Sequence, residues 1–128
     1  MRLVVDANIL VGELLRVRGR ELVADPRTEL FIAARTWNET QYELRKRATL
    51  FAERRGVAAL QDLLERAIEV AEAHVTVVGP DEYAEYEEEA RRRMPRDPDD
   101  WPTVAGALTL EADIWTADGN FLGCGVAT

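Results

Sequence analysis

Cysteine, histidine and lysine each occur once in this chain of 128 residues, as Cys124, His74 and Lys46. A lone cysteine excludes an intrachain disulfide and leans towards a reducing compartment. Cys124 stands between two glycines and reads as a small buried residue. His74 falls at a helix end before a strand, where a capping role is the simpler reading than catalysis. No Ser/His/Asp arrangement, zinc cluster or Gly-rich phosphate-binding loop is present. Long apolar runs are also missing, and residues 1–6 read as a buried strand rather than a signal peptide. The expectation is a cytoplasmic protein with no membrane partner. No internal repeat, linker or low-complexity stretch divides the chain.

What the chain does have is 47% hydrophobic and 31% charged residues, the balance of a soluble globular protein. Its length suits one domain, residues 1–128, with a core that needs no staples. The formal net charge is −8, from 24 acidic and 16 basic residues. That balance argues against broad electrostatic binding of nucleic acid. A site that collects carboxylates for divalent ions adds negative charge that the ions neutralise. The basic residues are uneven as well. Arg45, Lys46, Arg47, Arg54 and Arg55 form one group, and Arg91, Arg92, Arg93 and Arg96 another. Taken singly, each reads as part of a solvated helix face.

Hydrophobic patterning predicts strands alternating with helices. Residues 2–5 form a short apolar strand ending at Asp6. Asn8 is the expected cap of a helix carrying Ile9, Leu10, Leu14 and Val17, with Gly19 closing it. A second short helix is expected over residues 20–25, ended by Pro26. A strand over 29–33 precedes a long helix over 36–54, with Trp37, Leu44, Ala48 and Phe51 at helical spacing. After Gly56 comes a helix with the stripe Val57, Leu60, Leu64, Ala67, Ile68 and Ala71. Residues 75–78 are a third strand. Pro80 starts a helix carrying Tyr83, Tyr86 and Ala90. Residues 94–102 are a proline-rich loop, and a helix from about Thr103 to Glu111 leads into a fourth strand over 113–116. Residues 125–127 are a candidate fifth. The pattern is that of an α/β domain with a largely parallel sheet, its crossovers right-handed.

Ligands of open α/β sheets bind beyond the carboxyl ends of the strands. Asp6 ends the first strand and Asp118 follows the fourth. Glu39 lies in the first turn of the helix after the second strand, and Asp100 at the start of the helix leading into the fourth. These four acids, distant in sequence, come to one edge. Gathering them without basic partners costs several kcal/mol, roughly, in repulsion and desolvation, which bound cations would relieve. Carboxylate ligands suit Mg²⁺ or Mn²⁺, and such ions serve phosphodiester hydrolysis. Each acid has an ordinary reading when taken alone. Asp6 is as readily a cap, Glu39 a solvated helix residue, Asp97, Asp99 and Asp100 turn formers, and Asp118 before Gly119 a turn. The weight lies in their convergence. Glu39 lies about 200° around its helix from Trp37, off the apolar stripe, so it reaches the edge only if the first turn overhangs the sheet. Glu43, one turn on along the same face, is the alternative second acid.

The opening VVDANIL resembles the start of PIN domains, where an aspartate ends the first strand and an Asn follows two residues later. The segment RDPDDWPTVAGALTLEADIWTADGNF resembles their closing half, in which an aspartate precedes an alanine-rich helix and a strand ends in Thr-x-Asp. The resemblance spans essentially the whole chain, with the middle matched by helix pattern and Glu39. It implies a three-layer α/β/α sandwich around a mostly parallel sheet of four to five strands. It also implies an acidic site for Mg²⁺ or Mn²⁺ and endoribonuclease activity. Many bacterial members are toxins of VapC-type toxin–antitoxin pairs, and many are homodimers. An RNA substrate, a small antitoxin partner and a homodimer are therefore expected here. Carried over by position, Asp6, Glu39, Asp100 and Asp118 match the four acids and Asp97 an additional one. Asn8 and Thr116 match supporting polar positions. Where Asp-x-Asp-Phe is expected after the fourth strand, this chain has Asp118-Gly119-Asn120-Phe121. Asn120 keeps an oxygen but loses a charge, which weakens any second metal position.

On this reading Asp6, Asp100 and Asp118 are metal ligands, and Glu39 is a ligand or positions the attacking water. Asn8, Thr116 and Asp97 hold waters or support the ligands. Two other classes compete. A phospho-accepting receiver or phosphatase-like domain would use Asp6 as nucleophile. It needs a lysine near the late strands, whereas Lys46 is mid-helix, and the phosphatase type prefers an acid where Asn8 stands. A non-catalytic interaction module is the other, since fold does not give function.

Overall fold

The structure, a computed structural model, describes residues 1–53 and 55–127, with the backbone alone at 51 and 52. Arg54, counted in the first basic group, and the Phe51 side chain, counted in the long helix's stripe, lie outside the described residues. Four strands, β1 (Arg2–Val5), β2 (Glu29–Ala33), β3 (Val75–Val78) and β4 (Asp113–Trp115), form one parallel sheet in the order β3-β2-β1-β4. Short strands rich in Val, Leu and Ile suit a parallel sheet covered on both faces. Successive side chains point to opposite faces. Val4 accordingly joins one core with Ala33, Val78 and Ile114, while Val5 joins another with Leu30, Ile32 and Val75.

The helices sort into two outer layers. Helices α1 (Ala7–Leu14), α2 (Val17–Val23), α3 (Ala34–Ala52) and α4 (Val57–His74) supply Leu10, Leu14, Val23, Leu44, Ala67 and Ala71 to the Val5 core. Helices α5 (Pro80–Tyr83), α6 (Glu87–Arg93) and α7 (Trp101–Leu110) supply Tyr83, Ala90, Val104 and Ala105 to the Val4 core. The result is a three-layer α/β/α arrangement. Among the described residues no helix is long and apolar enough to cross a membrane.

Four local expectations are corrected. Asp6, not Asn8, caps α1, accepting from the Asn8 backbone N–H at 3.4 Å. The candidate fifth strand does not form. Ile114 donates one backbone hydrogen bond to Ala127, but positive φ angles at Gly123 and Gly125 turn the segment away from a ladder. The helix after Pro80 breaks into a 3-10 turn over Ala84–Tyr86 before α6. Helix α3 starts at Ala34, directly after β2, and α7 starts at Trp101, after a 3-10 turn over Pro98–Asp100.

Gly19 has a different role from the one expected. It lies inside α2, while α1 ends at Leu14, whose carbonyl accepts from the Arg20 guanidinium at 2.9 Å. A Cβ on Gly19 would come within 2.0 Å of the Glu13 carbonyl oxygen, so glycine is required by the close approach of α2 to the end of α1. A Cβ on Gly12 would meet nothing within 4 Å. Urea unfolding is therefore expected to show Gly19→Ala destabilised by about 2–3 kcal/mol through overpacking. Gly12→Ala should be neutral or stabilised by up to about 1 kcal/mol, as for alanine in a helix interior. Equal effects at the two sites would refute the close-approach account.

Candidate active site

All four strands run in the same direction, so their carboxyl ends share one edge. Asp6 follows β1 immediately and is fixed at both ends of its peptide. Its N–H donates to the Trp115 carbonyl of β4 at 3.0 Å, and its own carbonyl accepts from Leu10 at 3.1 Å in the first turn of α1. Asp118 follows β4, and its carboxylate caps the 3-10 turn Gly119–Phe121 by accepting from Asn120 N at 2.9 Å. Asp100 is the residue from which α7 departs on its way back to β4.

Thr116 joins two of these positions. Its hydroxyl donates to Asp6 Oδ2 at 2.7 Å and accepts from the Asp118 N–H at 3.0 Å. One small side chain thus sets the spacing of the acids after β1 and β4. The Asp118 carboxylate has a donor on Oδ1, while Oδ2 has none among the described residues.

Glu39 reaches the edge because α3 begins without an intervening loop. The buried face of α3 runs through Thr36, Thr40, Leu44 and Ala48. Glu39 flanks that face at its start, over the end of β2. The two threonines are polar, and Thr40 satisfies its hydroxyl on the Thr36 carbonyl at 2.8 Å. An apolar-stripe reading passes over them and so turns Glu39 away from the sheet.

These elements enclose a cleft of about 510 Å³ lined by six carboxylate residues, Asp6, Glu39, Asp97, Asp99, Asp100 and Asp118, with Asn8 and Arg35. Thr36, Pro102 and Thr103 complete its walls. Glu43 and Asn120 do not line it. Glu43 lies close enough to push the Glu39 carboxyl upward, and Asn120 contributes its backbone N–H to Asp118. The basic residue Arg35 and the acid Asp99 were not singled out from sequence. Arg35 stands four residues before Glu39, and that spacing places the two on one helix face.

The electrostatics follow from the crowding. Asp100 is pushed up to about 7, first by burial, then by a hydrogen bond with the Asp97 carboxyl and by the charges of Asp97, Asp6 and Asp118. Glu39 is raised by partial desolvation and by Asp6, Glu43 and Asp97, against a lowering contribution from Arg35. Carboxyls held above their usual range in a cleft are a signature of functional sites. Among the described residues no three acidic, His or Cys side chains are arranged to hold an ion as they stand. The donor set itself is all oxygen, hard and anionic, which is the chemistry that Mg²⁺ and Mn²⁺ prefer.

A family model described as a PIN domain matches residues 4–128. No curated protein matches the chain. The match takes in the end of β1 with Asp6 at one end and β4 with Asp118 near the other, so it covers every residue that lines the cleft. The chain belongs to the PIN-domain family, whose members are generally nucleases.

Proposed function

We propose that this chain is a metal-dependent endoribonuclease. The observation that carries the reading is the cleft in which Asp6, Glu39, Asp97, Asp99, Asp100 and Asp118 converge with Arg35 as the basic residue among them. Such a cluster is destabilising by itself and becomes favourable when divalent cations fill it. Asp6, Asp100 and Asp118 would hold Mg²⁺ or Mn²⁺, with Asp97 a further carboxylate lining the same cleft. The bound cation would supply Lewis-acid stabilisation of the phosphate and activation of water. Thr116 fixes the orientation of Asp6 and the backbone of Asp118. Glu39, held above its usual range, orients the attacking water and accepts its proton on the carboxylate. Arg35 faces the same cleft and offsets charge on the phosphate. The products would carry 5′-phosphate and 3′-hydroxyl ends. A toxin role with a small antitoxin partner, and a homodimer, are supported by the sequence resemblance. A second reading is a non-catalytic module on the same fold, since fold does not by itself give function.

Two measurements separate these readings. With single-stranded RNA and Mn²⁺, Asp6→Asn and Asp118→Asn should each lower cleavage by about 10²-fold or more while leaving the fold intact. Equal cleavage by wild type and Asp6→Asn would assign the activity to a contaminant.

The second measurement uses pH. Asp100 has a folded-state pKa near 7, above its unfolded value of 3.8. Its contribution to stability is complete below the unfolded value and is lost as pH rises through the folded one. In chelator, Asp100→Asn should therefore gain more melting temperature over wild type at about pH 8 than at about pH 5. Millimolar Mn²⁺ should raise the wild-type melting temperature, and more at the higher pH. A pH-independent difference, together with no Mn²⁺ shift, would favour the non-catalytic module.

A further inference from the structure

Asn8 lines the acidic cleft, yet its amide oxygen is already engaged. The Arg47 guanidinium donates from Nη2 to Asn8 Oδ1 at 2.9 Å, tying α3 to the start of α1. Arginine carries donors and no acceptor, so the amide atom that faces it must be the oxygen. The two N–H donors of Asn8 are thereby directed elsewhere, and no protein acceptor takes them among the described residues. A divalent cation is a poor further partner for an oxygen that a guanidinium already occupies, because the two positive charges repel. Asn8 is thus set as a neutral donor in a cleft whose lining is mostly carboxylate.

The distribution of arginines adds a second observation. Arg91, Arg92 and Arg93 are paired within or beside α6 to Glu87 and Glu89. Those three arginines are neutralised by their own helix. On α3, by contrast, Arg35, Glu39, Glu43 and Arg47 recur every four residues and form one row along the helix. Arg35 lies in the cleft and Arg47 reaches Asn8 at its margin. An anionic strand leaving the acidic centre along this row meets positive charge at both ends of the two glutamates.

We propose that Asn8 and Arg47 form a phosphate-binding arm at the cleft rim, which takes a phosphodiester oxygen of single-stranded RNA. Asn8 donates to that oxygen from Nδ2. Arg47 is a positioning residue that fixes the amide orientation and supplies positive charge. The arm rests on the nuclease reading for the identity of its ligand, and it gives Asn8 a substrate contact in place of a metal-supporting one.

The test measures fluorescence anisotropy of end-labelled single-stranded RNA on the full chain carrying Asp100→Asn, so that cleavage does not interfere. Asn8→Asp keeps the side-chain shape and the acceptor for Arg47 but replaces the donor with an anionic oxygen. It should weaken RNA binding about tenfold or more, and Arg47→Ala by a similar factor, as for hydrogen bonds to charged groups. Asn8→Ala, in the chain with Asp100 intact, should leave the Mn²⁺-induced melting shift unchanged. RNA binding by Asn8→Asp at the parent level would overturn the arm, as would loss of the Mn²⁺ shift in Asn8→Ala, which would make Asn8 a metal ligand. If the chain with Asp100 intact cleaves RNA and Asn8→Asp binds normally, the arm falls and the nuclease reading stands. If that chain does not cleave but Asn8→Asp still weakens binding, the arm stands and the nuclease reading falls. A chain that neither cleaves nor binds RNA overturns both.

Discussion

Mutual repulsion among carboxylates at one edge of the sheet is the constraint around which the rest of this fold is arranged. A parallel sheet brings the ends of β1, β2 and β4 together whether or not their charges suit one another. The fold holds them there with uncharged groups. The Thr116 hydroxyl and the backbone N–H groups of Asn8 and Asn120 contact the aspartates, and Arg35 alone supplies positive charge in the cleft lining among the described residues. A fold that needed only stability would pair these acids with arginines, of which the chain has many. It spends several of them instead on Glu13, Asp25, Asp62, Glu87 and Glu89, outside the cleft. The unneutralised cluster is the part of the structure that packing alone does not explain.

Rigidity behind the cluster comes from short connections. No loop separates β2 from α3, a single residue separates β1 from α1, and two residues separate β4 from Asp118. Short links between buried strands and packed helices leave the acids little backbone freedom, so the cleft is formed by the core and not by its own contacts. Leu44 and Ala48 of α3 anchor in the Val5 core, and Val104 and Ala105 of α7 anchor in the Val4 core. Glu39 and Asp100 therefore sit on opposite layers of the sandwich and meet across the sheet edge.

Much of this arrangement was legible in the residues. The strands over 2–5, 29–33 and 75–78 have the observed bounds because β-branched and aliphatic runs between turn formers leave few alternatives. The edge rule then gathered the four acids without any structural input. What was not legible has identifiable causes. Gly19 looked like a helix end because glycine commonly is one, and only the approach of the Glu13 carbonyl reveals the real constraint. Asn8 and Asp6 are both good caps, and the choice between them depends on where β1 releases the chain. The candidate fifth strand failed on two glycine φ angles that sequence does not encode uniquely. Glu39 was harder to place because Thr36 and Thr40, buried yet polar, carry the helix face that points at the sheet.

A net charge of −8 is compatible with the proposed RNA substrate by position rather than by total. Screening confines the influence of exposed charges to about 8–10 Å, so a strand at the cleft responds to the groups beside it and little to distant faces. Those groups include the α3 row of Arg35, Glu39, Glu43 and Arg47, whereas the acids Glu65, Glu69 and Glu72 line a separate groove with Arg45. Cations in the acidic centre would invert the local sign again, turning the most repulsive point for a phosphate into the most attractive one. The same cluster that repels a phosphate from the acidic centre of the metal-free protein thus makes contact at that centre, though not at the cleft rim, conditional on the cation. On the proposed function, the acidic surface would disfavour nucleic acid everywhere except at the cation-filled cleft.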